Sequence, residues 1–145
     1  MPDDATTLAL RCADAMYGRD LASQTLGITI DRVGAGTARA RMTIRDDMLN
    51  GHGICHGGYV FTLADTAFAF ACNTYDDVTV AAGADVTFLA PVQGGADLIA
   101  TAVERSRRGR SGLYDVTVTT ADGTVVAEFR GRSRSLGRRL LDQPA

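Results

Sequence analysis

NGHGICHGGYVFTLADTAFAFACN occupies positions 50–73. Its first part, Asn50 to Gly58, is a glycine-rich loop that feeds straight into an apolar run from Tyr59 to Cys72. Only Thr62, Asp65 and Thr66 interrupt the run. Ala64, Ala67, Ala69 and Ala71 are strong helix formers, so the stretch predicts a helix. A helix that is apolar nearly all round is buried on most sides. This one is too short and too interrupted for a membrane span, which takes about 20 apolar residues. It reads as a core helix with a carboxylate, Asp65, at its middle. An ionised carboxylate in an apolar site is costly unless paired or hydrogen-bonded, which singles Asp65 out.

Gly57 and Gly58 open the helix. The first backbone N–H groups of a helix lack intrahelical acceptors and lie at the positive end of its dipole. With no side chain at Gly57 or Gly58, an oxygen can approach these donors closely, which suits a carbonyl oxygen that gains negative charge. A plain glycine helix start would look the same. Asp65 shares a face with Phe61, Phe68 and Cys72. It reads as a general base for water, as a nucleophile that forms an anhydride, or as a structural aspartate held by a buried hydroxyl or by Asn50. Burial would raise its pKa and hydrogen-bond donors would lower it. His52 and His56 flank Cys55, but the glycines at 51, 53 and 57 make this a loop, and no further ligand cluster lies nearby. Metal binding is therefore not expected. His56 is assigned instead to orienting the loop or a substrate carbonyl. Tyr59 and Phe61 lie near the candidate site.

The rest of the chain surrounds this helix. At 145 residues it is one domain, 1–145, with room for a real core. A net charge of -2 argues against non-specific nucleic-acid binding. The acidic start, MPDDATT, lacks the apolar region of a secretory signal. The three cysteines, Cys12, Cys55 and Cys72, form no CxxC pair, so free thiols in a reducing, cytoplasmic compartment are expected. Asp3 or Asp4 can cap a first helix running to about Tyr17. Strands are expected at Thr25–Val33, Thr37–Ile44, Val78–Leu89, Asp97–Arg105, Leu113–Thr120 and Thr124–Leu136, with a hairpin turn at Asp122-Gly123. The tail from Gly137 reads as loosely ordered. Short turns make the strands mostly antiparallel, and one sheet of about six strands wrapped round one apolar helix is an α+β architecture. Such a helix cannot bury itself against one sheet alone, so a partner subunit is expected to cover it.

The stretch from Asn50 to Asn73 closely resembles the motif of hotdog-fold acyl-CoA thioesterases of the PaaI type, associated with phenylacetate degradation. The resemblance extends to FLAP at Phe88 to Pro91, SGLYDV at Ser111 to Val116 and VVAEFRGRS at Val125 to Ser133. It implies a hotdog fold, dimers paired into tetramers, and thioester hydrolysis without metal or cofactor, the coenzyme A thioester being substrate. It implies that Asp65 is the catalytic carboxylate and that Gly57 supplies the oxyanion N–H. Asn50 would position water or substrate, and His56 is the histidine before the glycines. A hydroxyl that some relatives carry on the strand after the helix is absent here, where Ala81, Ala82 and Gly83 stand.

Arginines cluster at Arg107, Arg108 and Arg110 and recur at Arg130, Arg132 and Arg134. Some of them, with Arg107, Arg108, Arg110 and Arg132 as candidates, are expected to bind the coenzyme A phosphates, although charged residues also guard sheet edges. Gly58, Tyr59 and Phe61 complete the candidate substrate-binding set. Gly57 and Asp65 lie about 12 Å apart along one helix, so one active site is expected to draw them from two subunits. A hotdog hydratase or dehydratase and a non-catalytic acyl-CoA-binding module are the alternatives.

Overall fold

The computed structural model describes residues 4–144. Asp4 caps helix α1 (Ala5–Tyr17) by accepting the Thr7 N–H at 2.7 Å; Asp3, the other candidate cap, lies outside the described residues. The strand expected from Thr25 starts later. Asp20 accepts the Ser23 N–H and hydroxyl at 3.0 and 2.6 Å, and this cap starts a short helix, α2 (Leu21–Thr25), before β1 (Thr29–Gly34) begins. A local side-chain cap outweighs the β-preference of the threonine there.

The remaining elements are β2 (Thr37–Thr43), a single 3-10 turn (Asp46–Met48), α3 (Gly57–Cys72), β3 (Thr79–Phe88), β4 (Asp97–Arg108), β5 (Ser111–Thr120) and β6 (Val125–Ser135). The strands form one six-stranded sheet, in the order β1-β2-β4-β5-β6-β3, and every neighbouring pair is antiparallel. The sheet curls round α3. Alternation supplies its inner face: Ala38, Ala40 and Met42 on β2, Ala100 and Ala102 on β4, and Tyr114, Val116 and Val118 on β5 are all buried. Small residues on β2 and β4 let the helix lie close. On β6 the missing side chain of Gly131 does the same, because a Cβ there would come within 2.7 Å of the Phe68 ring. Phe68 then packs on Tyr114 and Phe129, with ring centroids 5.6 and 5.8 Å apart.

β4 runs through Arg108, so Arg107 and Arg108 are strand residues and the turn is confined to Gly109 and Arg110. The tail is not loose. Leu136 N–H donates to the Val78 carbonyl at 2.8 Å and Val78 N–H to the Arg138 carbonyl at 2.9 Å. Asp76 accepts the Leu141 N–H and the Arg139 Nε–H, each at 2.8 Å. Leu140 is buried beneath this strap, and Arg19 holds the Pro144 carbonyl at 2.9 Å. The partners are more than 50 residues away in sequence, so local composition cannot reveal them. Among the described residues, no helix is long and apolar enough to cross a membrane.

Candidate active site

The loop before α3 is held by its own backbone. Asn50 N–H donates to the Ile54 carbonyl at 2.8 Å, and the Asn50 Oδ1 accepts the N–H groups of His52 and Ile54 at 2.9 and 3.4 Å. The oxygen of Asn50 is thus spent on the turn, which leaves its amide NH2 as the group able to meet a ligand. Cys55 N–H bonds to the Val92 carbonyl and His56 N–H to the Met48 carbonyl, each at 2.8 Å, so the loop is pinned at two points just ahead of the helix. Cys55 itself is buried, and burial pushes its thiol pKa up, which disfavours a thiolate nucleophile.

His56 is the N-cap of α3. Its Nδ1 accepts the Gly58 N–H at 2.9 Å, and its carbonyl accepts the Tyr59 N–H at 3.0 Å. Nδ1 is therefore unprotonated and the ring proton belongs on Nε2. Among the described residues nothing accepts the Gly57 N–H. The cap consumes the later donors and leaves that one open. Gly57 lines a groove of about 490 Å³ together with Asn50, Ile54, Val60, Phe88, Leu89 and Pro91, among others. The Phe88 ring lies against Gly57 so closely that a Cβ there would stand 3.0 Å from its Cζ.

Asp65 lies two turns further along α3, half-buried. The hydroxyls of Thr62 and Thr66, the nearest candidates to satisfy it, turn back instead to the carbonyls of Gly58 and Thr62 at 2.8 and 2.7 Å. Asn50 does not satisfy it either: its side-chain hydrogen bonds are the two that its Oδ1 accepts within the loop. Among the described residues no hydrogen-bond donor reaches Asp65, and burial raises its pKa. Its charge is felt along the helix: the Cys72 thiol is pushed up to about 12, first by its own burial and in part by Asp65.

The structure does not bring all the candidates together. Asp65 and Gly57 are on one helix, about 12 Å apart along its axis. Phe61 is partly buried and stacks edge-on against Phe129 of the core, with centroids 5.4 Å apart. Tyr59 leans edge-on to His56 at 6.2 Å. Arg107 stands 3.6 Å over the Tyr75 ring, beyond the C-terminal end of α3 and thus at the opposite end from Gly57. Arg132 is paired with Asp85 at 2.8 Å, and Arg130 with Asp115 at 2.7 Å. Among the described residues, Arg108 and Arg110 have no carboxylate partner. Gly83, where a hydroxyl could have stood, lies against the Arg132 guanidinium, which a Cβ would approach to 3.0 Å. Among the described residues, no group of three or more His, Cys, Asp or Glu side chains gathers where a metal could be held.

A pinned glycine loop, an open helix N–H above an apolar groove and a half-buried unpaired acid on the same helix are parts suited to acyl transfer. Residues 52–127 match the family model described as the thioesterase superfamily. The chain is also 43% identical over 125 residues to the acyl-coenzyme A thioesterase PaaI of Escherichia coli (strain K12), across 86% of this chain and 89% of that protein. The chain belongs to the thioesterase superfamily.

Solved structures agree on the architecture. The structure of the E. coli PaaI protein from the phenylacetic acid degradation operon superposes with a TM-score of 0.92 at 40% identity, covering 94% of this chain and 99% of that one. A mutant of the phenylacetic acid degradation protein PaaI from Thermus thermophilus gives 0.76 at 35% identity, over 79% and 98% of the two chains. The six-stranded sheet around one long helix is the hotdog fold of this thioesterase family.

Phe88 was not singled out as a site residue by the sequence. Its signals are an aromatic residue at a strand end, three positions before Pro91, and its place in the FLAP stretch that shares the family resemblance.

Proposed function

We propose that this protein hydrolyses acyl-CoA thioesters, with phenylacetyl-CoA, its hydroxylated forms or related aryl and medium-chain thioesters as substrates. One observation carries the reading: the open Gly57 N–H at the helix start, beside an apolar groove, in a thioesterase-superfamily chain similar to a named acyl-CoA thioesterase. The thioester carbonyl oxygen accepts from Gly57. Asp65 either takes a proton from water as the water oxygen attacks the carbonyl carbon, or attacks that carbon itself to form an anhydride that water then hydrolyses, which regenerates Asp65. The C–S bond breaks, a proton from the water passes to the departing sulfur, and coenzyme A leaves as its thiol with the free acid as the other product. The chemistry calls for a carboxylate, a donor and water, with coenzyme A entering only as part of the substrate. The aryl preference rests on the operon in which the E. coli relative is found.

The active site is composite. Gly57 and Asp65 are too far apart to serve one carbonyl, whose donor and attacking atom must both lie about 3 Å away. A second copy with its α3 antiparallel brings Gly57 of one chain to Asp65 of the other. Two features favour such pairing: β3 is an edge strand with an unpaired outer side, and α3 keeps a stripe through Gly58, Thr62, Asp65 and Ala69 that its own sheet leaves incompletely covered. Dimers then pair into tetramers. Arg107, Arg108 and Arg110 bind the coenzyme A phosphates. The free cysteines suit a cytoplasmic protein. A thiol-release assay over a panel of acyl-CoAs tests the reading. Release of thiol supports it; hydration of an enoyl-CoA without release makes it a hydratase, and binding without turnover makes it a carrier.

A further inference from the structure

The surface carries one large aromatic side chain whose placement the catalytic reading does not use. Phe88 is 53% exposed and its neighbour Leu89 is 56% exposed. Burial of such side chains is favourable, and the free protomer forgoes much of that gain. The position is imposed by the backbone. Phe88 is in register with Ala127, and the next two N–H groups, of Leu89 and Ala90, both reach the Val126 carbonyl, at 2.8 and 3.3 Å. This anchoring presents the ring to Gly57, where the absence of a side chain is what admits it. A carbonyl oxygen held by the Gly57 N–H lies near the Phe88 ring, and the groove is open to a group attached to that carbonyl. Among the described residues the groove is lined by the Phe88 ring, by aliphatic side chains and by Cys55, with Asn50 the amide exception, and it contains no charged group. Its 490 Å³ falls within the range of small-molecule pockets.

We infer that Phe88 determines the acyl preference of this site, selecting thioesters whose acyl group carries an aromatic ring one methylene from the carbonyl, by stacking on that ring. The inference rests on the thioesterase reading and deepens it. An aromatic pair adds about 0.5–1.5 kcal/mol beyond burial, which is about a two- to tenfold preference over an alkyl chain of similar size.

The test compares kcat/KM for phenylacetyl-CoA and hexanoyl-CoA in the wild-type protein and in Phe88→Leu and Phe88→Tyr, with melting curves for all three. The leucine keeps apolar bulk and loses the ring; the tyrosine keeps the ring. The phenylacetyl-to-hexanoyl ratio is expected to fall by about two- to tenfold in Phe88→Leu and to hold within twofold in Phe88→Tyr. An unchanged ratio in Phe88→Leu, or equal falls in both variants, overturns the inference while leaving the thioesterase reading intact. A wild-type protein that releases no thiol from either substrate overturns both.

Discussion

His56 Nδ1 accepts the N–H of Gly58 at 2.9 Å, and with that bond a side chain selects which helix donor stays open. The neighbouring Gly57 N–H is left for a ligand. His56→Ala should cost about 1 kcal/mol of stability, the usual worth of an N-cap, and should also lower turnover because Gly58 then competes for the carbonyl. His56→Asp separates the effects. It should restore the cap and the melting temperature, while its charge beside the developing oxyanion keeps turnover low. Thermal melts and thiol release on the two variants decide this, and normal turnover in His56→Asp would remove His56 from the site's electrostatics.

Asp65 lacks a hydrogen-bond donor within its own chain and sits in a partly buried position that raises its pKa. Asp65→Asn should reduce turnover by about 10²–10⁴, with acyl-CoA binding retained. If the ionised form is the active one, kcat/KM should fall toward acid, and the fall should begin at a higher pH than an ordinary carboxylate would give. Stability runs the other way. A pKa raised by folding contributes stability below the unfolded value near 3.8, and that contribution is lost as pH rises through the folded value. Asp65→Asn should therefore be the more stable protein at neutral pH, with the difference closing as pH falls below about 4. Equal urea midpoints for the two proteins at pH 7 would contradict this.

Subunit mixing tests the composite site. Asp65→Ala removes the acid, and Gly57→Pro removes the N–H at a position where a helix tolerates proline. Each homodimer should be nearly inactive. In a mixed dimer one site inherits both defects and the other neither, so activity should return in about half the sites. Verified heterodimers with no more activity than the parents would place both groups within one chain.

The arginines now separate into two sets. Arg132 is already paired with Asp85, whereas Arg108 and Arg110 have no carboxylate among the described residues. Arg108→Ala and Arg110→Ala should raise KM for acyl-CoA several-fold and leave a truncated pantetheine thioester unaffected, with Arg132→Ala showing the smaller change. Steady-state kinetics on the two substrates checks this. Equal losses on both substrates would indicate a damaged fold.

Asp76 closes the C-terminal strap from an uncommon backbone position, φ 57°, which aspartate and asparagine tolerate better than alanine. Burial opposes its ionisation, but the Leu141 N–H and Arg139 outweigh this and the pKa is lowered. The stability it contributes is thus present above the unfolded value of about 3.8 and is lost as pH falls below it. Asp76→Ala should destabilise by about 2–4 kcal/mol at pH 7, and Asp76→Asn by less, since it keeps the backbone preference and an acceptor for Leu141. Urea unfolding at pH 7 and pH 3 measures both, and the gap between wild type and Asp76→Asn should shrink at pH 3.

What the sequence determined by itself was periodic or local. The apolar run with its single carboxylate specified α3, alternation placed Ala38, Ala40, Met42, Val116 and Val118 on the inner face, and Asp122-Gly123 marked a hairpin. Each depends on neighbours within a few positions, where spacing translates directly into geometry. The Asp20 cap of α2 is equally local and could have been read from the sequence. The tertiary structure alone decided the rest. It put β3 at the sheet edge beside β6, folded the tail onto Asp76, turned the Thr62 and Thr66 hydroxyls away from Asp65, and laid Phe88 on Gly57. These contacts join residues far apart in the chain or choose among hydrogen-bond partners that spacing alone leaves equivalent. They are settled only when the whole sheet closes round the helix and each polar group takes the acceptor then within reach.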